Sequence, residues 1–277
     1  MNRMDGKVCV VTGSTQGLGA AIARRLAEAG AAGVVTLGRN EAKGRAVAEA
    51  ITRDTGVPVH FVEADLGKVE DCRRVMAEAE RVYGKMHVLV NAGARTDRGT
   101  ILDTSPELFD ALFAVNVRGP YFLMQEAIRH MIRAGIEGAI CNIGSISEHA
   151  GQPFINVYCA TKAALATLTR NTAFSVMKNR IRVNQLDVGW MASDHERELQ
   201  VSETGDPNWE AKAVANLPFG RLIDPREVAQ AVNFLVSDDA GLMTGAVVDY
   251  DQTVLGAASG PMAVPEKAMA LSPSDTD

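Results

Sequence analysis

Cysteine is scarce and scattered. Cys9, Cys72, Cys141 and Cys159 are spread over 277 residues with no C-x-x-C, which argues against a disulfide framework and for reduced thiols that pack as small buried hydrophobes. Long apolar runs are missing as well. The stretch Val8, Cys9, Val10, Val11 is a representative one, far below the roughly 20 residues that a membrane-crossing helix needs. The first residues lack the continuous apolar segment of a signal peptide, so a cytoplasmic location is expected. No run of five or six like charges occurs, and 28 basic against 34 acidic residues leave a formal net charge of -6. That balance excludes a basic nucleic-acid footprint, and neither nucleic acid nor a membrane is an expected partner. His60, His87, His130 and His195 show no ligand spacing with carboxylates or cysteines, so no metal is expected. There is no internal repeat and no Pro/Ser/Gly-rich linker, and only 5% of residues are aromatic.

What is present is an alternation. Short β-branched runs over 7–12, 34–37, 59–63, 88–91, 139–143, 181–187 and 246–250 predict seven strands. Between them, apolar residues recur at three- and four-residue intervals over 18–29, 41–55, 69–83, 106–134, 157–178 and 225–237, predicting helices. The expected fold class is α/β: a doubly wound, Rossmann-type, seven-stranded parallel sheet with helices on both faces, over residues 1–255. Ser105-Pro106 and Asp224-Pro225 read as helix starts, and Gly30, Gly56 and Gly84 as helix ends. Residues 190–217 are too long and polar for a simple connection and predict a lid over a ligand. Residues 256–277 carry no strong period and read as a tail.

Directly after the first strand comes Thr12-Gly13-Ser14-Thr15-Gln16-Gly17-Leu18-Gly19, opening a helix. Glycine there permits a tight turn with positive φ, lets backbone N–H groups approach a pyrophosphate, and allows close helix–strand packing. The helix N-terminus adds partial positive charge for the phosphates. At the end of the second strand, an NAD-binding fold usually offers a carboxylate to the adenosine ribose. Here Gly38-Arg39-Asn40 stands instead; a guanidinium suits a phosphate, so NADP(H) is favoured, with NAD(H) possible.

Tyr158 and Lys162 form Y-x-x-x-K on a predicted helix. Residues four apart share a face, and a nearby cation favours a phenolate, which suits alcohol oxidation or carbonyl reduction. Ser145, thirteen residues earlier, ends the fifth predicted strand. Ligands of a doubly wound sheet collect at the carboxyl ends of strands, where Ser145, Asn91-Ala92-Gly93 and the glycine turn all fall.

Taken together, Thr12-Gly-x-x-x-Gly-x-Gly19, Asp65-Leu66, Asn91-Ala92-Gly93, Asn116, Ser145 and Tyr158-x-x-x-Lys162 resemble the short-chain dehydrogenase/reductase family over about residues 5 to 252. The resemblance implies an NAD(P)-dependent enzyme acting on a secondary alcohol or ketone. It implies Tyr158 as general acid/base, Lys162 as holder of the nicotinamide ribose, Ser145 on the substrate oxygen and Asn116 positioning a relay water. Asp65 and Leu66 match the adenine contact, and Asn91, Ala92 and Gly93 the turn beneath the cofactor. It also implies a homotetramer built through the helices over 106–134 and 157–178. Two departures stand out. The family's Pro-Gly after the sixth strand is Val188-Gly189 here, with Ser193 in place of a threonine, and its Asp-Gly-Gly near the seventh strand is replaced around Asp249-Tyr250-Asp251-Gln252.

Arg95, Glu148, His149, Gln152, Asn156 and Trp190 are expected near the cleft mouth in that frame, where hydrogen-bonding groups and one aromatic face suit a small polar substrate such as a sugar or polyol. An apolar ketone or a 3-oxoacyl thioester is the alternative substrate. A cofactor-binding regulator without turnover is the alternative of a different class.

Overall fold

The computed structural model describes residues 3–149, 151–215, 217–254 and Met269. Apart from Met269, the expected tail lies outside the described residues. Seven strands, β1 (Val8–Val11), β2 (Gly33–Gly38), β3 (Val59–Glu63), β4 (Val88–Asn91), β5 (Ala139–Ser145), β6 (Arg182–Val188) and β7 (Val247–Tyr250), form one sheet. All pairs are parallel, in the order β3-β2-β1-β4-β5-β6-β7. The sheet is doubly wound: the chain adds strands outward from β1 in one direction, then returns to add β4 on its other side. That reversal opens a crevice at the carboxyl ends of β1 and β4.

Strand residues alternate between two cores. Cys9 and Val11 face α1 (Gly17–Glu28), α2 (Glu41–Thr55) and α9 (Pro225–Val236), whereas Val10 faces α3 (Val69–Tyr83), α5 (Gly119–Ala134) and α6 (Asn156–Val176). Burial on both faces explains why β1, β2 and β4 read as continuous apolar runs rather than as alternating ones. Helix ends are set by local caps, Asn40 adding to those expected from the sequence. Asn40 and Ser105 cap α2 and α4 (Pro106–Phe113), Asp224 and Glu227 make a capping box on α9, and Gly56 and Gly84 close α2 and α3 in the left-handed conformation.

One segment differs from the sequence expectation, and a second gains detail. The helix expected over 106–134 is three pieces: α4, a π turn (Ala114–Arg118) and α5. Pro120 supplies no N–H to the ladder at the start of α5, and a Cβ on Gly119 would come within 2.5 Å of the Leu66 carbonyl oxygen. The chain shifts register there instead of running straight. Residues 190–217 are not a simple loop; they carry α7 (Asp194–Thr204) and α8 (Trp209–Val214). Arg98, from the segment after β4, grips Glu203 of α7 through two bonds of 2.7 and 2.9 Å, while its guanidinium lies 5.1 Å from the Phe154 ring centre. Both charged side chains are about one-third exposed, so the latch contributes modestly. Arg98→Ala is expected to raise hydrogen–deuterium exchange in α7 without changing exchange in β1 or β4.

Candidate active site

The carboxyl ends of β1, β2 and β4 border a cleft of about 610 Å³ lined by Gly13, Thr15 to Gly19, Gly38, Arg39, Ala64 to Lys68 and Ala92 to Thr96. Gly13 has φ +63°, and a Cβ on it would come within 2.5 Å of Gly93 Cα; a Cβ on Gly19 would strike the Gly13 carbonyl. The glycines let two backbones and a helix end meet. Thr12 stitches them together: its hydroxyl accepts from the N–H groups of Ala92 and Gly93, both at 2.9 Å. No side chain caps α1, so its first-turn amides are left for an anion at the cleft. Arg39 enters the same cleft and makes no ion pair or hydrogen bond among the described residues. Asp65 turns one oxygen back to the Gly67 N–H at 2.9 Å, and Ser193 caps α7 through the Glu196 N–H at 3.1 Å while lining the far side. A cradle of this shape fits a dinucleotide.

At the end of β5 stand two neighbouring hydroxyls. Ser145 stands close enough to the Tyr158 phenol to lower its pKa; its own hydroxyl donates to Ser147 Oγ at 3.0 Å and accepts from the Ser147 N–H at 3.2 Å. Lys162, one turn along α6 from Tyr158, is buried; its Nζ donates to the Ile143 carbonyl at 2.7 Å and sits 5.5 Å from the Tyr158 ring centre. Burial pushes the phenol up to about 12, against a lowering by Ser145, and pulls the ammonium down to about 8, with Asp187 acting in the opposite sense. The phenol therefore does not lie below its ordinary value in the protein alone: desolvation dominates, and the opposing influence comes from Ser145. A phenol and a serine hydroxyl at a strand end, beside a dinucleotide cradle, can bind a carbonyl or carbinol oxygen and move one proton to or from it.

Residues 13–252 match the family model described as Enoyl-(Acyl carrier protein) reductase. The chain is 34% identical to Dehydrogenase/reductase SDR family member 4 of Bos taurus, over 89% of this chain and 86% of that one. It belongs to the short-chain dehydrogenase/reductase family. Among solved structures it is similar to L-sorbose reductase from Gluconobacter frateurii complexed with NADPH and L-sorbose, with TM-score 0.85 and 29% identity over 93% of this chain and all of that one. It is also similar to an NAD+-bound xylitol dehydrogenase, with TM-score 0.83 and 27% identity over 90% and 99%. The chain is thus an NAD(P)-dependent oxidoreductase of this family.

Within this short-chain dehydrogenase/reductase, several residues singled out in the sequence lie elsewhere than expected. Ser14 is buried and is not among the residues lining the cleft. Its hydroxyl donates to the Val11 carbonyl at 2.7 Å and accepts from the Leu37 N–H at 2.9 Å, and its own N–H goes to the Leu37 carbonyl, so it staples β1 to β2 with nothing left to donate. Asn40 is engaged as the α2 cap. Asn91 is buried beneath the crevice, donating to Asn142 Oδ1 at 2.8 Å, while Ala92 and Gly93 form its lining. Asn116, carried by the π turn, has its amide fully committed: it exchanges two bonds with the Arg95 backbone and donates to Thr161 Oγ1. Its side chain braces the cleft loop against α6 with both amide hydrogens, and Oδ1 keeps one lone pair. Val188 pairs with Tyr250, and a side chain on Gly189 would run into Asp251.

The cleft-mouth candidates are divided too. Arg95 is neutralised by Asp97 through bonds of 2.8 and 2.7 Å. Gln152 accepts from Ser147 Oγ at 2.5 Å, one hydroxyl away from Ser145. Asn156 opens α6. Trp190 is no free platform: its ring stacks on Trp209 of α8 at 5.7 Å, and its N–H donates to Glu196 at 2.8 Å. Glu148 and His149 meet a residue that sequence reasoning missed, Asp187 on β6. Burial drives the Asp187 carboxyl far above the usual carboxylate range, and Glu148 adds to this. Nothing in β6 singled it out, since Arg182, Asn184 and Gln185 are polar on the same strand. From Asn91 a buried chain of side chains leads through Asn142 and Thr169 to Gln185, which donates to both Glu148 and Asp187.

Proposed function

We propose that this protein interconverts a secondary alcohol and a ketone on a small polar molecule such as a sugar or polyol, using NADP(H) in preference to NAD(H). The Ser145–Tyr158 hydroxyl pair backed by buried Lys162 carries the alcohol–ketone reading. Ser147, Glu148 and Gln152 beside Ser145 support a polar substrate, because their buried polar groups demand polar partners. The likeness to a sorbose reductase and a xylitol dehydrogenase points the same way.

When bound, the nicotinamide supplies or accepts a hydride at its C4 atom. This chain supplies the rest. Ser145 and Tyr158 hold the substrate oxygen, Tyr158 gives or takes the proton, and Lys162 places a positive charge behind the ring. Asn116 keeps the Arg95 loop and α6 in register. A phenol raised to about 12 is protonated at neutral pH, so it is a ready donor for carbonyl reduction. Alcohol oxidation needs the phenolate, so kcat/KM for oxidation is expected to rise about tenfold per pH unit below the apparent pKa. Reduction should stay flat there and fall above it. Parallel pH profiles in both directions check this.

Arg39 supports the NADP preference, as a guanidinium open to a 2′-phosphate at the end of β2. Arg39→Ala is expected to weaken NADPH binding by about 10- to 100-fold and NADH binding by less than about threefold; equal loss for both would refute the assignment. A turnover panel of sugars, polyols, apolar ketones and 3-oxoacyl thioesters, each with both cofactors, tests the substrate class. Tight NADPH binding with no turnover on any of them would make the protein a cofactor-binding regulator instead. A homotetramer is also proposed: Phe109, Tyr121 and Phe174 on α4, α5 and α6 are exposed, Phe174 by 75%, more apolar surface than isolated helices leave to water. Light scattering should give four times the chain mass of 29.5 kDa. A cytoplasmic location accords with four free, buried cysteines, and no helix among the described residues is long and apolar enough to cross a membrane.

A further inference from the structure

Three side chains that the proton transfer does not use converge at the carboxyl ends of β5 and β6. Glu148, His149 and Asp187 each offer one ligand atom, and these atoms lie within 4.8 Å of one another. Two of the three are hidden from water: Asp187 is 0% exposed and the Glu148 side chain 7%. Burying a carboxylate costs several kcal/mol unless opposite charge offsets it. Among the described residues no lysine or arginine lies within salt-bridge distance of either acid.

The Gln185 amide shows how the acids are held. Its Nε2 donates to Asp187 Oδ1 at 2.7 Å and to Glu148 Oε2 at 3.0 Å, securing one oxygen of each. The second oxygens are spare. Asp187 Oδ2 is buried and has no hydrogen-bond partner among the described residues, and Glu148 Oε1 lies 3.9 Å from His149 Nε2. The same imidazole nitrogen is 3.2 Å from Asp249 Oδ1 on β7. The sheet makes room for this: a Cβ on Gly144, the register partner of Asp187, would overlap the Asp187 carboxylate.

We propose that Glu148, His149 and Asp187, with Asp249 at the rim, form a binding site for one divalent metal ion beside the substrate end of the cleft. One imidazole nitrogen with two or three carboxylate oxygens suits Zn2+ or Mn2+. Tetrahedral bonds of about 2.0–2.2 Å set ligand atoms about 3.3–3.6 Å apart, so closure from separations of up to 4.8 Å needs a shift of up to about 1 Å. His149 and Asp249 are free to supply it, being 37% and 44% exposed at the side chain. The proposed site departs from the sequence expectation of no metal, which weighed His60, His87, His130 and His195 and not His149. It was invisible there because residues 148–149, 187 and 249 meet only across three strands. It stands independently of which alcohol or ketone is turned over.

The test uses full-length protein stripped with a chelator. MnCl2 titration followed by loss of the free-ion EPR signal, and ZnCl2 titration by calorimetry, should each give one saturable site per chain. Glu148→Gln and Asp187→Asn should weaken Mn2+ binding at least about tenfold, equivalent to about 1.4 kcal/mol. His149 is exposed, so His149→Ala keeps the fold intact and serves as the control against misfolding; it too should weaken binding. No saturable binding of either ion below about 1 mM overturns the site, and so does affinity unchanged in both His149→Ala and Glu148→Gln. In either case the two acids share a proton instead.

Discussion

Replacing Tyr158 by phenylalanine is expected to lower kcat by ~10²–10⁴-fold, the range of a lost general acid/base, while shifting the NADPH dissociation constant by less than about threefold. The substitution removes one oxygen and leaves the ring, so the packing of α6 against β5 and the position of Lys162 over the ring are kept. Ser145 stays tied to Ser147 through two contacts of 3.0 and 3.2 Å. The loss should therefore fall on chemistry, not on folding. Stopped-flow turnover beside a fluorescence titration of NADPH separates the two. Activity within tenfold of the parent would remove Tyr158 from the proton-transfer role and leave Ser145 without its acid.

Gly13→Ala is expected to have the other large effect, on the cradle. Gly13 is left-handed, and an added methyl would sit 2.5 Å from Gly93 Cα and 2.9 Å from Gly93 N, both backbone atoms that no side-chain rotation can move. A left-handed alanine alone costs roughly 1–2 kcal/mol. Relieving the overlap must part the turn from Ala92 and Gly93, breaking the two 2.9 Å bonds to Thr12 Oγ1, each worth about 1 kcal/mol net. NADPH affinity should fall by more than about 30-fold and the melting temperature by several degrees. Alanine at Gly56, whose φ is +74° but around which nothing lies within 4 Å, is the matched control. It carries the backbone cost without the collision, so cofactor affinity should be unaffected. An equal loss of affinity in both variants would assign the effect to backbone conformation and not to the meeting of two loops.

The difference between those two glycines marks what could be read from the chain alone. The strands were legible because a sheet buried on both faces leaves apolar, β-branched runs, and every one of the seven lies within a residue or two of its expected span. Caps were legible for a similar reason: Ser105, Asp224, Gly56 and Gly84 act on backbone groups only a few residues away. The helix over 106–134 misled because its apolar period continues through a break set by Pro120 and by the approach of Leu66 to Gly119. The partners of Ser14 on β2 and of Trp190 on α8 were not legible, because they lie far away along the chain.

The sequence by itself determined the class of machine: periodicity set the doubly wound sheet, and the glycine turn, Ser145 and Tyr158-x-x-x-Lys162 set a cofactor cradle with a proton donor. Those features are local, held by spacings of a few residues along one strand end or one helix face. Only the tertiary structure decided the balance of charge. Whether Lys162 or desolvation governs Tyr158, and whether Glu148, Asp187 and Asp249 stand apart or face one another, depend on which strands lie side by side and how far water is kept out. Electrostatic energy varies with distance through space and with local polarity, and neither quantity is written in the order of residues along the chain.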